Sequence, residues 1–332
     1  MKKHFIILLL AALAVCANKK YQFVGRVEKL DPSLDSIISA DATPEIIAEG
    51  MDWSEGPLWI EKSKMLLFSD VPQNTIYKWT EQKGKEVYLT PSGYTDTVKR
   101  GGETGSNGLA LDNNGHLVLT QCGNRQIALM DAPLDKPAAK FKTIANAYKG
   151  MKFNSPNDVI VSSKGEIYFT DPPYGLEKGM KDPKKETPFQ GVYKIKRTGE
   201  VILLTDSIAR PNGIVLLPGE KTLLVANSDP AKPNWYAFDI AGTTDSLTNA
   251  RIFYSTAGSE KGLKGLPDGM KVDRMGNLFA SGPGGIWIFN KAGKLAGKIR
   301  VPEATSNCSL SGDEKTLYIT NDMYVLRVKM RK

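Results

Sequence analysis

Apolar residues recur at every second position in short runs along this chain, and no run keeps a helical period for long. "NGLALDNNGHLVLTQ" (107–121) and "NDVIVSSKGEIYFTD" (157–171) each read as strand, turn, strand. Alternation over four to eight residues, broken by Gly, Asn and Asp, predicts half-buried strands joined by tight connections.

The unit repeats six times: "SEGPLWIEKSKMLLFSD", "SNGLALDNNGHLVLTQ", "PNDVIVSSKGEIYFTD", "PNGIVLLPGEKTLLVAN", "PDGMKVDRMGNLFASG" and "SNCSLSGDEKTLYITN". The leading residues are Glu55, Asn107, Asn157, Asn212, Asp268 and Asn307, separated by 52, 50, 55, 56 and 39 positions. From each leading residue to the residue closing the second strand (Asp70, Gln121, Asp171, Asn227, Gly282, Asn321) the gap is 15, 14, 14, 15, 14 and 14. So tight a register is needed because a one-residue slip turns every side chain to the other face. Third strands follow, such as "GVYKIK" and "GIWIFN", and fourth strands such as "EVYLT" and "VILLT". Four short strands in about 50 residues is the pattern of a β-propeller blade. The expected fold is an all-β, six-bladed β-propeller. The last unit has room for only three strands, so "PEIIAEGM" (44–51) is expected to complete it and close the ring.

Composition narrows the function. With 41% apolar and 24% charged residues, the chain has ample core material and is not disordered. Lys2 and Lys3 precede an apolar run, Phe5 to Ala14, too short to span a bilayer and suited to export. "LAVC" ends in Cys16, the place of a lipidated cysteine in a bacterial lipoprotein. The expected organisation is a leader at 1–16, an extension at 17–43 and the propeller at 44–332. The destination is the periplasm or a lipid anchor on the outer membrane. The net charge of +8 is scattered, without an interleaved aromatic platform for nucleic acid. Beyond the leader only His116 remains, which excludes Ser-His-Asp chemistry and multi-histidine zinc sites. Cys122 and Cys308 are the two remaining cysteines, either paired or free.

First strands of blades line the channel, so the six leading residues gather around one axis. Singly, each Asn-Gly, Asp-Gly or Glu-Gly-Pro reads as tight-turn chemistry. Six in register outweigh that reading. Two carboxylates, Glu55 and Asp268, among four amides repel unless a positive charge joins them. An oxygen-only set suits a hard cation, Ca²⁺ ahead of Mg²⁺. The loops at 91–106 and 172–191 are expected to overhang that end of the channel.

"SEGPLW", "FNSPNDVIV…GEIYFTDPPYG", "RPNGIVL", "LPDGMKVD…GNLFASGPGGIWIF" and "EKTLYIT", in this order and spacing, resemble the regucalcin/gluconolactonase (senescence marker protein) family from about residue 45 to the end. That resemblance implies a six-bladed propeller with one divalent cation in the channel, Ca²⁺ foremost and Mg²⁺, Mn²⁺ or Zn²⁺ as alternatives. By motif, the ligands would be Glu55, Asn157, Asn212 and Asp268. It also implies hydrolysis of a sugar lactone by a monomer or weak dimer, with Asp268 as base or nucleophile. Asn107, Arg125 and Tyr174 are the candidates for substrate hydroxyls, and Asp158 is expected to brace its turn or join a second buried cation. Two departures from the family touch the substrate side: Ser155 stands where animal regucalcins carry Arg, and "CGNR" places Cys122 where bacterial relatives often have His. The rival readings are a phosphotriesterase of the diisopropyl-fluorophosphatase kind and a propeller that binds sugar or protein without catalysis.

Overall fold

The computed structural model describes residues 21–241 and 245–330. The leader expected at 1–16, with Cys16, lies outside the described residues. Six antiparallel sheets of four or five strands follow one another around a ring. Blade one runs through Ser54–Ile60, Met65–Asp70, Thr75–Thr80 and Gly84–Leu89, innermost strand first. The expected six-bladed propeller is present.

Closure follows the expected route. Glu45–Glu49 pairs with Tyr324–Lys329 and completes the sixth blade, and Arg327 donates to Glu45 at 2.6 Å across that seam. The extension does more than was foreseen. Gln22–Phe23 adds a fifth strand outside Glu45–Glu49, and Arg26–Lys29 pairs with Leu295–Arg300 at the edge of blade five. Two exposed sheet edges are thereby covered.

The core is divided among the blade interfaces. Each of six apolar clusters joins facing sheets of two consecutive blades. Ile60, Leu67 and Ile76 meet Leu109, Leu117 and Met130, for example, and Trp235 meets Trp287 and Phe289. Each such fully buried side chain contributes on the order of 1.5–3 kcal/mol.

Nearer the axis the blades are joined by hydroxyl groups. Ser69 donates to the Asn107 carbonyl at 2.9 Å, Thr120 to that of Asn157 at 2.7 Å and Thr170 to that of Asn212 at 2.7 Å. Ser228 reaches the Pro267 carbonyl at 2.7 Å, Ser281 that of Ser306 at 2.7 Å, and Ser306 that of Ser54 at 2.6 Å. Every interface therefore holds the next blade's backbone at, or one residue before, its leading position.

Two further devices aim the leading side chains. The ladder slips between Glu55 and Leu58, Ser106 and Leu109, Pro211 and Ile214, and Thr305 and Asn307, a bulge that re-aims a side chain. The polar residue that closes the second strand then ties down the approaching loop. Asp171 accepts the Asn154 and Ser155 N–H groups at 2.8 and 2.7 Å, and Asn227 accepts that of Arg210 at 2.9 Å. The repeated gap of 14 or 15 residues is the reach of this clamp.

Two glycines after the leading residues have a cause that lies in the neighbouring blade. Gly213 lies inside the strand Pro211–Leu216, where a Cβ would sit 2.3 Å from the Asp268 carbonyl oxygen of the next blade. At Gly269 a Cβ would sit 1.9 Å from the Asn307 side chain. These glycines permit blade-to-blade approach and do not mark tight turns. Gly213→Ala should destabilise the protein by about 1–3 kcal/mol through overpacking, read as a lower Tm. An unchanged Tm would mean the blades can part there freely.

Candidate metal and substrate site

Five of the six leading residues line one cavity of ≈ 340 Å³ at the end of the channel: Glu55, Asn107, Asn157, Asn212 and Asp268. Asn307 does not. Its Oδ1 accepts the Cys308 N–H at 2.8 Å and its side chain faces Asp158. Asp158 lies deeper, accepting the N–H groups of Val159 at 2.9 Å and Ile214 at 3.1 Å. It ties the start of its own strand to the inner strand of the next blade.

The two carboxylates at the cavity floor are in an unfavourable state as they stand. Glu55 and Asp268 are enclosed, and burial pushes both well above the ordinary carboxylate range. Neighbouring carboxylates add to it: Asp158 and Glu103 act on Glu55, and Glu55 and Asp158 act on Asp268. Backbone N–H groups of Gly56 and Gly269 give partial relief, and neither lysine nor arginine figures among the main influences on either group.

The amide at Asn212 is oriented by a chain of bonds. Ser228 spends its one hydroxyl proton on the Pro267 carbonyl, so it must accept from Asn212 Nδ2, at 2.9 Å. That leaves Asn212 Oδ1, an acceptor, for the cavity. Asn107 Oδ1 is sealed from solvent without a partner. Oxygen acceptors surrounding two uncompensated carboxylates fit a hard divalent cation. Among the described residues no three Cys, His, Asp or Glu side chains converge as a metal cluster, so a cation at the floor would depend on amide oxygens.

The two long loops contribute Glu103 and Tyr174 to the cavity wall. Tyr174, in the loop between Ile167–Asp171 and Gly191–Ile195, lines the cavity. Burial first, and then the Asp268 charge, raise its phenol strongly. Arg100 ties the loops together, donating from Nη1 to the Gly123 carbonyl at 2.6 Å and from Nη2 to that of Gly175. Ser155 completes the fastening. It is fully buried, and its hydroxyl accepts the Gly175 N–H at 2.7 Å. An arginine has no room there, so the departure at Ser155 exchanges a side chain for a seated loop.

Arg125 is corrected. It lies outside the cavity, buried beneath the loop, and donates to the carbonyls of Phe153 at 2.6 Å, Asn154 at 3.1 Å and Lys184 at 3.0 Å. Its planar fork is consumed by backbone, so it shapes the loop from below. Cys122 is buried and free, with its thiol on the Pro156 carbonyl at 3.2 Å, and Cys308 is also buried and free. His116 sits at the surface, 3.0 Å from Asp112. The sequence reading had not singled out Trp53, Glu103, Arg210 or Ser228, all of which line the cavity. Arg210 was detectable, since "RPNG" places it two residues before Asn212. Glu103 lies in a glycine-rich loop with no periodicity to flag it.

Residues 53–322 match the SMP-30/gluconolactonase/LRE-like region. The chain belongs to this family. A gluconolactonase of Zymomonas mobilis is 39% identical over 97% of this chain and 90% of its own. Among solved structures, a gluconolactonase of Xanthomonas campestris superposes with a TM-score of 0.79 at 28% identity, covering 95% of this chain and 99% of its own. A calcium-binding regucalcin of Agrobacterium tumefaciens, at 18% identity, covers 86% of this chain and 94% of its own with a TM-score of 0.65, and supports the fold alone.

The buried acids of this family member predict a pH dependence. Raised carboxylates hold protons in the folded state that the unfolded chain has already released. Stability of the cation-free protein should therefore fall as pH rises from about 5 to 8. The carboxylates with lowered values, such as Glu260 beside Arg300 and Lys298, finish titrating below that window. Chemical denaturation across the range should show this slope, reduced in Asp268→Asn. Stability that rises or stays flat would contradict the uncompensated floor.

Proposed function

We propose that this chain is a divalent-cation-dependent lactonase that opens sugar lactones, a gluconolactonase in the first instance. The observation that carries this reading is the cavity floor: a buried carboxylate, Glu55, and a half-buried one, Asp268, with no ion pair to Lys or Arg among the described residues and ringed by amide acceptors. Glu55, Asn157, Asn212 and Asp268 would hold the cation, with Ca²⁺ favoured because it tolerates an irregular oxygen shell. Mg²⁺, Mn²⁺ and Zn²⁺ are the alternatives. When bound, it supplies Lewis acidity to the ester carbonyl and to the charge that develops there. Asp268 accepts a proton from the attacking water with one carboxylate oxygen. Water's oxygen bonds the carbonyl carbon, the ring C–O bond breaks, and the proton passes to the departing alkoxide, leaving an aldonic acid that ionises to aldonate in water. The seated loop carrying Tyr174 narrows the cavity over the substrate and limits bulk water. We read the leader at 1–16 as an export signal, with Cys16 as the anchor position.

The polar wall of Glu103, Asn107, Tyr174 and Arg210 favours a hydroxylated substrate over the apolar phosphotriester of the rival reading. Relatives bearing the gluconolactonase name point the same way.

Hydrolysis of glucono-1,5-lactone should cease on chelation and return with Ca²⁺. Asp268→Asn should lower kcat by about 10²-fold or more. Full turnover in chelator, or a wild-type rate in Asp268→Asn, would overturn the metallohydrolase reading. Inert lactones with active organophosphates would install the phosphotriesterase in its place.

A further inference from the structure

The cavity wall also holds acceptors outside the four residues assigned to the cation. Of the buried side-chain polar atoms left without a hydrogen-bond partner among the described residues, two line the cavity: Glu103 Oε2 and Asn107 Oδ1. Asn107 Oδ1 can only accept, and the Glu103 carboxylate accepts when ionised. Glu103 comes from the loop before Ser106–Leu111, and Asn107 lies within that strand, so one short segment presents the pair. Sealed acceptors without donors are costly, so persistent ones call for a ligand.

What would satisfy them must bring donors. A second cation is disfavoured because Arg210 stands in the same wall and one acceptor is a neutral amide. Hydroxyl groups fit on both counts. Each donates one proton and still accepts, matching acceptors at Glu103 and Asn107 and the guanidinium of Arg210. We infer that Glu103 and Asn107 form a hydroxyl-reading pair that selects polyhydroxylated lactones over unsubstituted rings, with Glu103 the specificity-determining residue. This rests on the lactonase reading above.

The loop that carries Glu103 is built to hold it there. Arg100, three residues earlier, is pinned to the carbonyls of Gly123 and Gly175. Three residues later, the Ser106 N–H donates to Ser92 Oγ at 3.0 Å. With both flanks fastened, the carboxylate is pre-positioned, which lowers the ordering cost of binding.

The test compares D-glucono-1,5-lactone with δ-valerolactone, the same ring without hydroxyls, on Ca²⁺-loaded protein. A site that hydrogen-bonds substrate hydroxyls discriminates strongly against analogues lacking them, so Glu103→Leu should lower the ratio of the two kcat/KM values by about 10-fold or more, mainly through KM for the gluconolactone. Glu103→Gln, which keeps the shape and one acceptor, should fall between. It also serves if the leucine variant does not fold. A ratio unchanged in both variants would overturn the inference, as would loss of Ca²⁺ binding in Glu103→Gln, which would assign the residue to the cation. If the wild type hydrolyses neither lactone, the lactonase reading fails separately. Calorimetry with D-glucitol then decides: weaker binding in Glu103→Gln upholds the pair, and equal binding removes it.

Discussion

The structure depends on a ring of hydroxyl-to-carbonyl hydrogen bonds around the channel. Each passes from one blade to the backbone beside the next blade's leading residue, from Ser69 to Asn107 and onward until Ser306 returns to Ser54. A single buried bond of this kind contributes only about 0.5–1.5 kcal/mol net. Their larger effect is positional. They fix where each inner strand begins, and the bulges and clamps then turn the leading side chains toward the axis. Apolar packing between blades supplies most of the stability, but it leaves the axial register open. The hydroxyls and the strand glycines close it.

That precision has an electrostatic consequence. Six strands aimed at one axis bring Glu55 and Asp268 into a common enclosure with Asp158 beneath. In a softer fold, one carboxylate would swing out to water. Here Asn212 is oriented by Ser228 and Pro267, and the loop above is fastened by Arg100 and Ser155, so the charges stay together. Burial first, and then mutual repulsion, favour the protonated carboxyls here, and a cation would relieve both. The same rigidity extends to the wall, where acceptors at Glu103 and Asn107 wait unpaired.

The blade count, the closing strand and five of the cavity residues were legible in the sequence because each belongs to a repeated register. Where a residue acts outside that register, the pattern was silent or misleading. Arg125 looked like a rim residue, yet its reach and planar fork carry it under the loop to backbone carbonyls. Glu103 sits in a glycine-rich loop whose path is set by Arg100 meeting residues that are distant in sequence. The reason for the glycines after Asn212 and Asp268 was hidden, because local sequence does not reveal the neighbouring blade that forbids a Cβ. The outer strands from the extension were also hidden, since short, exposed edge segments carry little periodicity. Non-local contacts, more than weak local propensity, account for these differences.

The proposed single divalent-cation site of Glu55, Asn157, Asn212 and Asp268 at the channel floor is tested most directly by isothermal titration of chelator-stripped protein with CaCl₂. The expected result is one site per chain, lost in Glu55→Gln and in Asp268→Asn while both variants remain folded. Absence of binding in the wild type, or binding that survives both substitutions, would contradict it.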